Sequence, residues 1–142
     1  MYLDTCYIAK FYLNEPDSLR VRELVRGAAD KIYSSVWALA EFHAVLHRRV
    51  REGAATSEQA GELASLFSAH THDGLWNFIP VHEALLRRTG IQMISAPREI
   101  YLRTADAVHL ATAHELGECD VWTNDRHMLA AAPYFSLTGR SV

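Results

Sequence analysis

The 142-residue sequence contains only two cysteines, Cys6 and Cys119, and they lie far apart along the chain. It has no Cys-x-x-Cys pair and no cysteine–histidine spacing typical of a zinc site. These absences argue against a structural zinc domain. We expect both cysteines to be reduced thiols in the core of a cytoplasmic protein.

Long apolar runs are also missing from the sequence. No stretch approaches the roughly 20 residues that a membrane-spanning helix needs. The N-terminus lacks a charged segment followed by a long apolar one, so no secretory signal is expected. Linkers rich in Gly, Pro or Ser are absent as well. We therefore expect one domain over residues 1–142, without a membrane partner.

The sequence has no excess of positive charge, since its formal net charge is −3. This argues against a protein that coats nucleic acid through bulk charge, although a local basic patch could still bind it. Glycine-rich phosphate loops of the G-x-G-x-x-G and G-x-x-x-x-G-K-[ST] types are absent. The G-x-S-x-G elbow of serine hydrolases is absent too.

What the sequence does contain is an alternation of strand-like and helix-like segments. Expected strands are Met1–Asp4, Lys31–Ser34, Trp76–Val81, Cys119–Thr123 and Tyr134–Leu137. Expected helices cover about residues 6–13, 16–27, 35–52, 82–93, 104–116 and 126–132, and another begins at Thr56. The first of these helices is expected to be capped by Thr5. Such alternation predicts a parallel sheet covered by helices on both faces.

Four acidic residues lie inside or directly beside apolar segments: Asp4, Glu41, Asp106 and Asp125. Carboxylates are rarely buried unless they are paired or bind a metal. Asp4 and Asp125 follow predicted strands, and ligands of open parallel sheets bind beyond the carboxyl ends of the strands. The pattern therefore indicates one anionic site assembled from distant parts of the chain.

Each of these acids also has a simpler explanation. Asp4 and Asp125 suit helix N-caps, Asp106 suits the first turn of a helix, and Glu41 suits a solvent-facing helix position. If the acids do converge, three or four carboxylates can hold one or two Mg²⁺ or Mn²⁺ ions, which prefer oxygen ligands. Without a cation such a cluster repels itself and costs stability.

Histidine spacing gives a weaker signal. His43-x₃-His47 and His70-x-His72 could contribute to a transition-metal site, but no third ligand joins either pair, so solvated helix faces are favoured. His109 and His114 are expected to be packing or rim residues.

A basic stretch follows Glu41 on its predicted helix. Arg48 and Arg49 lie on the same helix face as Glu41. Such stretches are usually solvated faces, but these arginines would contact RNA phosphates if the acids form a nuclease centre.

Four segments, taken together and in order, resemble the PIN-domain family, and in particular its prokaryotic toxin branch, the VapC-type ribonucleases. The segments are Tyr2-Leu3-Asp4-Thr5, Ala40-Glu41, residues 102–113 (LRTADAVHLATA) and Trp122-Thr123-Asn124-Asp125. The resemblance spans the whole chain, and the third segment and the Thr-x-Asp are its most specific parts. One departure is Cys6, where the family often has Ser or Asn.

The resemblance implies a three-layer α/β/α sandwich with a central parallel sheet, and Mg²⁺- or Mn²⁺-dependent cleavage of RNA by the toxin of a toxin–antitoxin pair. The implied metal ligands are Asp4, Glu41, Asp106 and Asp125, with Thr5 and Thr123 as supporting hydroxyls and Asn124 nearby. It also implies a small antitoxin whose C-terminal segment covers the active site.

Other functions remain open at this point. An aspartate-based phosphatase with Asp4 as nucleophile would usually carry a second Asp two residues on, where this chain has Cys6. A non-catalytic RNA- or partner-binding module would keep the fold without needing the acids. A homodimer is also expected, from the family and from Trp76 and Phe78 if these are exposed; the alternative is that both are core strand residues.

Overall fold

The computed structural model describes residues 1–142 as five strands, seven α-helices and one 3₁₀ turn. The strands are β1 (Tyr2–Leu3), β2 (Tyr33–Ser35), β3 (Asn77–Ile79), β4 (Asp120–Trp122) and β5 (Thr138–Arg140). The helices are α1 (Thr5–Tyr12), α2 (Ser18–Arg26), α3 (Trp37–Arg51), α4 (Ser57–His72), α5 (Glu83–Ser95), α6 (Thr104–Leu116) and α7 (Arg126–Ala131), and the 3₁₀ turn (Ala132–Phe135) follows α7.

The five strands form one parallel sheet with the order β3-β2-β1-β4-β5. The central strand β1 pairs with β2 on one side, where Tyr2 lies opposite Tyr33, and with β4 on the other, where Tyr2 lies opposite Val121. The chain fills one half of the sheet first and then returns to build the other. The strand order therefore reverses between β1 and β4, the place where open parallel sheets bind ligands.

Neighbouring residues of a strand point to opposite faces of the sheet, and both Tyr2 and Leu3 of β1 are buried, so helices cover both faces. Leu3 belongs to a buried cluster with side chains of α1 to α4. Tyr2 belongs to a second buried cluster, formed with side chains of α5 to α7 and the 3₁₀ turn. The result is the three-layer α/β/α sandwich with a parallel sheet that the sequence resemblance implied.

The predicted last strand, Tyr134–Leu137, is wrong. Tyr134 and Phe135 are the last two residues of the 3₁₀ turn, Ser136 and Leu137 follow it, and the strand begins only at Thr138. Phe135 and Leu137 are apolar because they pack into the core from a turn. The real strand is short, polar and at the sheet edge, so it lacks the apolar signal on which strand prediction depends.

Two smaller expectations also change. The cap of α1 is Asp4 rather than Thr5. Cys119 is exposed instead of lying in the core, and both cysteines are free thiols. For Trp76 and Phe78 the alternative of core residues applies, because Trp76 is only 3% exposed and Phe78 packs, partly buried, against the core. None of the helices combines the length and apolarity required to cross a bilayer.

Candidate active site

The four predicted acids lie in one cavity of about 240 Å³ between β1 and β4, at the carboxyl edge of the sheet. Its lining residues are Asp4, Thr5, Cys6, Glu41, Val45, Arg103, Asp106, His109 and Asp125. A larger cavity of about 530 Å³ lies between α5 and α6, but Glu115 is the only carboxylate in its wall. The smaller cavity, with four carboxylates in its wall, is therefore the candidate active site.

Asp4 is the most buried of the acids and sits where β1 turns into α1. It is 6% exposed, and its Oδ1 accepts a hydrogen bond from the backbone N–H of Cys6, as an N-cap does. Its Oδ2 accepts the Thr123 hydroxyl at 2.5 Å. Burial raises the pKa of Asp4, although His109 and these hydrogen bonds act in the opposite direction. A negative charge at this position therefore costs free energy in the isolated protein.

Thr123 connects Asp4 to Asp125. Its fully buried hydroxyl donates to Asp4 and accepts the backbone N–H of Asp125 at 3.0 Å. Asp125 caps α7, and its Oδ1 accepts the backbone N–H groups of His127 (2.8 Å) and Met128 (3.1 Å). Both acids at the strand ends thus serve as caps and also line the cavity, so the two explanations offered by the sequence apply together.

Glu41 enters the cavity from α3 and is held by α1 and α6. Its Oε2 accepts the Thr5 hydroxyl and lies 2.8 Å from Nε2 of His109. Burial acts to raise the pKa of Glu41, but hydrogen bonding and charge from His109, with help from Thr5, lower it. Because a carboxylate can only accept, Nε2 of His109 carries a proton, and Nδ1 faces the Tyr2 hydroxyl at 2.9 Å.

Arg103 holds the other two acids. Its Nε lies 2.7 Å from Oδ2 of Asp106 and its Nη2 lies 3.2 Å from Oδ1, a two-pronged ion pair. The same Nη2 lies 2.5 Å from Oδ2 of Asp125. Hydrogen bonds to Asp106 raise the pKa of Arg103. For Asp125, burial is outweighed by the α7 amides and by Arg103, so its pKa is lowered.

The residues present fit a divalent cation by donor chemistry. Four carboxylates supply the hard oxygens that Mg²⁺ and Mn²⁺ prefer, and buried Asp4 carries no ion pair of its own. As the side chains stand, no three His, Cys, Asp or Glu groups converge on one metal-binding point. The Arg103 guanidinium engages oxygens of Asp106 and Asp125. A divalent cation bound in this cavity would have to compete with this arginine for the same oxygens.

Three other expected residues lie outside the cavity wall. Asn124 turns away, donating from Nδ2 to Oδ2 of Asp17 at 3.1 Å, while its buried Oδ1 has no partner. Arg49 pairs with Glu15 at 2.8 Å, and Arg48 is exposed one turn beyond the cavity-lining Val45.

Sequence reasoning did not assign Arg103 or His109 to the site. His109 is 3% exposed, in agreement with the packing alternative, but it also lines the cavity and is hydrogen-bonded to Glu41. The available signal was spacing, because residues 103, 106 and 109 are three apart around the start of α6 and therefore share a face. The Arg-x-x-Asp-x-x-His series is a polar stripe among the mostly apolar residues of the segment 102–113.

Comparison with solved structures shows which proteins share this fold. The crystal structure of Mycobacterium tuberculosis VapC20, described as a sarcin-ricin loop cleaving toxin, aligns with a TM-score of 0.73 and 17% identity over 92% of this chain and 93% of that chain. The structure of FitAB bound to an IR36 DNA fragment aligns with a TM-score of 0.69 and 16% identity over 99% of this chain and 93% of that chain. A comparison with curated protein sequences finds no significant match. The sequence profile of the PIN domain matches residues 1–133, and the chain therefore belongs to the PIN domain family.

Proposed function

We propose that this PIN domain protein is a metal-dependent endoribonuclease and the toxin of a toxin–antitoxin pair. The observation that carries the proposal is the placement of buried Asp4 in one open cavity with three carboxylates from other elements. Burial of a carboxylate without a counter-ion is costly, and a bound cation removes that cost. The shared fold with the VapC20 toxin supports the same assignment.

In this proposal Asp4 and Asp106 are the principal metal ligands, and Glu41 and Asp125 complete the set directly or through water. A bound Mg²⁺ or Mn²⁺ would neutralise phosphate charge and lower the pKa of a water molecule for attack. The chain's own part is to hold the ligand oxygens in place. Thr5 does this for Glu41, and Thr123 does it for Asp4.

The reaction is hydrolysis of an RNA phosphodiester. Water adds to phosphorus in line with the departing 3′-oxygen, which takes up a proton, and the products carry a 5′-phosphate and a 3′-hydroxyl. Exposed Arg48 and its neighbour Arg49 are suited to contact phosphates along α3.

Replacing Asp4 with Asn tests the catalytic part of the proposal. Changing even the hydrogen-bond partner of a metal ligand often costs about 10–100-fold in activity, so loss of the ligand charge should reduce Mn²⁺-dependent RNA cleavage at least ~100-fold. The matched control is Asp30→Asn, at an exposed carboxylate outside the cavity. Near-normal cleavage by a folded Asp4→Asn protein would reject the assigned role.

The antitoxin is the expected protein partner. An open anionic cavity offers a site that a basic segment of a small inhibitor could cover. Expression of the chain alone should arrest growth, and coexpression of the adjacent small gene should relieve the arrest. Arrest that persists in the Asp4→Asn variant would separate toxicity from cleavage and contradict this proposal.

Two rival functions receive less support. An aspartate-based phosphatase would usually carry a second Asp two residues after its nucleophile, and this chain has Cys6 at that position. A trapped aspartyl-phosphate would nevertheless establish it. A catalytically silent binding module would show no Mn²⁺ binding by calorimetry.

A further inference from the structure

Two neighbouring rings lie beside the acidic cavity, the exposed ring of Tyr101 and the partly buried ring of His127. Tyr101, in the segment between α5 and α6, is 59% exposed, and its ring centroid lies 4.6 Å from that of His127 in α7. Of the chain's phenylalanine, tyrosine and tryptophan residues, only Tyr101 and, at 42%, Trp37 are exposed. Exposed aromatic surface of this kind has no role in the core.

The ring pair is tied to the cavity wall through short connections. The backbone N–H of His127 donates to Oδ1 of Asp125, and Oδ2 of the same carboxylate pairs with Arg103. Tyr101 precedes Arg103 by two residues, and His127 follows Asp125 by two. The rings therefore adjoin the wall formed by the Arg103–Asp125 ion pair.

Positive charge accompanies these rings. Arg126 is exposed, and its Nε lies 3.3 Å from Nε2 of His127. Arg103 is half exposed, and it pairs with two of the cavity acids, Asp106 and Asp125. Aromatic rings that alternate with arginines are the usual surface for unpaired nucleotides, because bases stack on the rings while cations meet the phosphates.

We propose that the exposed ring of Tyr101, supported from the side by the tilted ring of His127, is a nucleobase platform, on which an unpaired RNA base next to the scissile phosphate stacks while Arg126 contacts an adjacent phosphate. This inference rests on the proposed ribonuclease function and names the residues that would meet the base beside the scissile phosphate. Every base has a flat face, so the platform selects unpaired structure more than a particular sequence.

Fluorescence anisotropy with a short labelled single-stranded RNA of mixed sequence tests the platform. The measurements are made at low salt with proteins that also carry Asp4→Asn, since this substitution prevents cleavage of the RNA. Loss of one stacked base costs roughly 5- to 100-fold in affinity. Tyr101→Ala should show that loss, whereas Tyr101→Phe and Tyr101→Trp should retain binding. Leu66→Ala, which removes a 45% exposed side chain from α4, is the control and should bind normally.

The outcomes separate the platform from the ribonuclease proposal. Equal affinity of Tyr101→Ala and Leu66→Ala overturns the platform while leaving cleavage intact. Equal losses for single-stranded and duplex RNA overturn it too, because a paired base cannot stack on the ring. Absence of RNA binding in the Asp4→Asn background also overturns it, even if the wild-type protein cleaves RNA. If Tyr101→Ala lost antitoxin binding but kept its RNA affinity, the rings would belong to the contact with the protein partner, and this result too would contradict the proposal.

Discussion

Two residues with opposite charge control the electrostatics of the cavity. Asp4 is buried with hydrogen-bond donors but no ion pair, and burial raises its pKa. Arg103 supplies the only arginine charge in the cavity wall and directs it to Asp106 and Asp125. Asp106 and Asp125 therefore share one positive charge, whereas the charge on Asp4 has no ion-pair partner and is unfavourable, which makes both Asp4 and Arg103 informative to change.

Asp4→Asn should stabilise the metal-free protein while it removes activity. When the pKa of an acid is higher in the folded than in the unfolded state, the protein loses stability as the pH rises from the unfolded-state pKa, about 3.9 for Asp, towards the folded-state pKa. The melting temperature of the variant should therefore exceed that of the wild type by a few degrees at neutral pH, at about 2–4 °C per kcal/mol. The difference should shrink in acid. A variant that melts lower than the wild type at pH 7 in EDTA would contradict the electrostatic account.

Arg103→Gln should raise the affinity of the protein for Mn²⁺ and lower the stability of the metal-free form. The lost ion pair is half exposed, so each effect should be about 1 kcal/mol, or about fivefold in the dissociation constant. Calorimetric titration with Mn²⁺ measures the first effect and thermal melting in EDTA the second.

Arg140→Gln is a matched control for this change. The Arg140 side chain is 49% exposed, nearly the same as the 50% of Arg103, and it also pairs with an aspartate, Asp120, at 2.7 Å. Unlike Arg103, it does not line the cavity. Its loss should leave Mn²⁺ affinity unchanged. If Arg103→Gln behaved in the same way, the arginine would not compete with the metal.

Elements contribute to the site mainly through their ends. β1 and β4 deliver Asp4 and Asp125 as caps of the helices that follow, and the start of α6 presents Asp106. These placements could be predicted, because apolar strands followed by capping acids leave a clear pattern. The position of β5 could not, since its residues Thr138–Arg140 are polar and the apolar residues lie in the turn before them.

Gly139 in β5 holds the edge strand close to α7, the helix that Asp125 caps. A Cβ atom at position 139 would lie 2.9 Å from Cδ2 and 3.1 Å from Cα of Leu129, closer than such atoms pack. Gly139→Ala should therefore destabilise the protein by about 1–3 kcal/mol in chemical denaturation. Gly61→Ala, in α4 with nothing within 4 Å of the added Cβ, should instead stabilise it by about 0.5–1 kcal/mol. Equal effects of the two changes would show that α7 does not constrain the edge strand.

At the scale of the whole molecule, the strand order decides where the site lies. Parallel strands and a reversal between β1 and β4 bring residues 4 and 125 to one crevice. The alternation of strand-like and helix-like segments predicted the parallel sheet. The acids beside apolar segments predicted that an anionic site lies at the carboxyl edge of that sheet. The ion pairs of Arg103 and the hydrogen bonds of His109 could not be predicted, because they depend on how α6 is rotated against α3 and α7.

The expected homodimer now has a different candidate surface. With Trp76 in the core, the most exposed apolar residues are Ile94 (88%) and Ile91 (66%), both on α5. A second copy packing on this helix would bury them. Light scattering should then give a dimer mass for the wild type and a monomer mass for Ile94→Asp, with Leu66→Asp on α4 as the control. A monomer mass for the wild-type protein would contradict the expected homodimer.

The most direct test of the central claim is an anomalous-diffraction map from crystals grown with Mn²⁺. The account predicts a Mn²⁺ peak inside the cavity within bonding distance of Asp4 and Asp106, with Arg103 displaced from at least one of its carboxylate partners. A cavity without Mn²⁺, in which Arg103 still bridges Asp106 and Asp125, would contradict it.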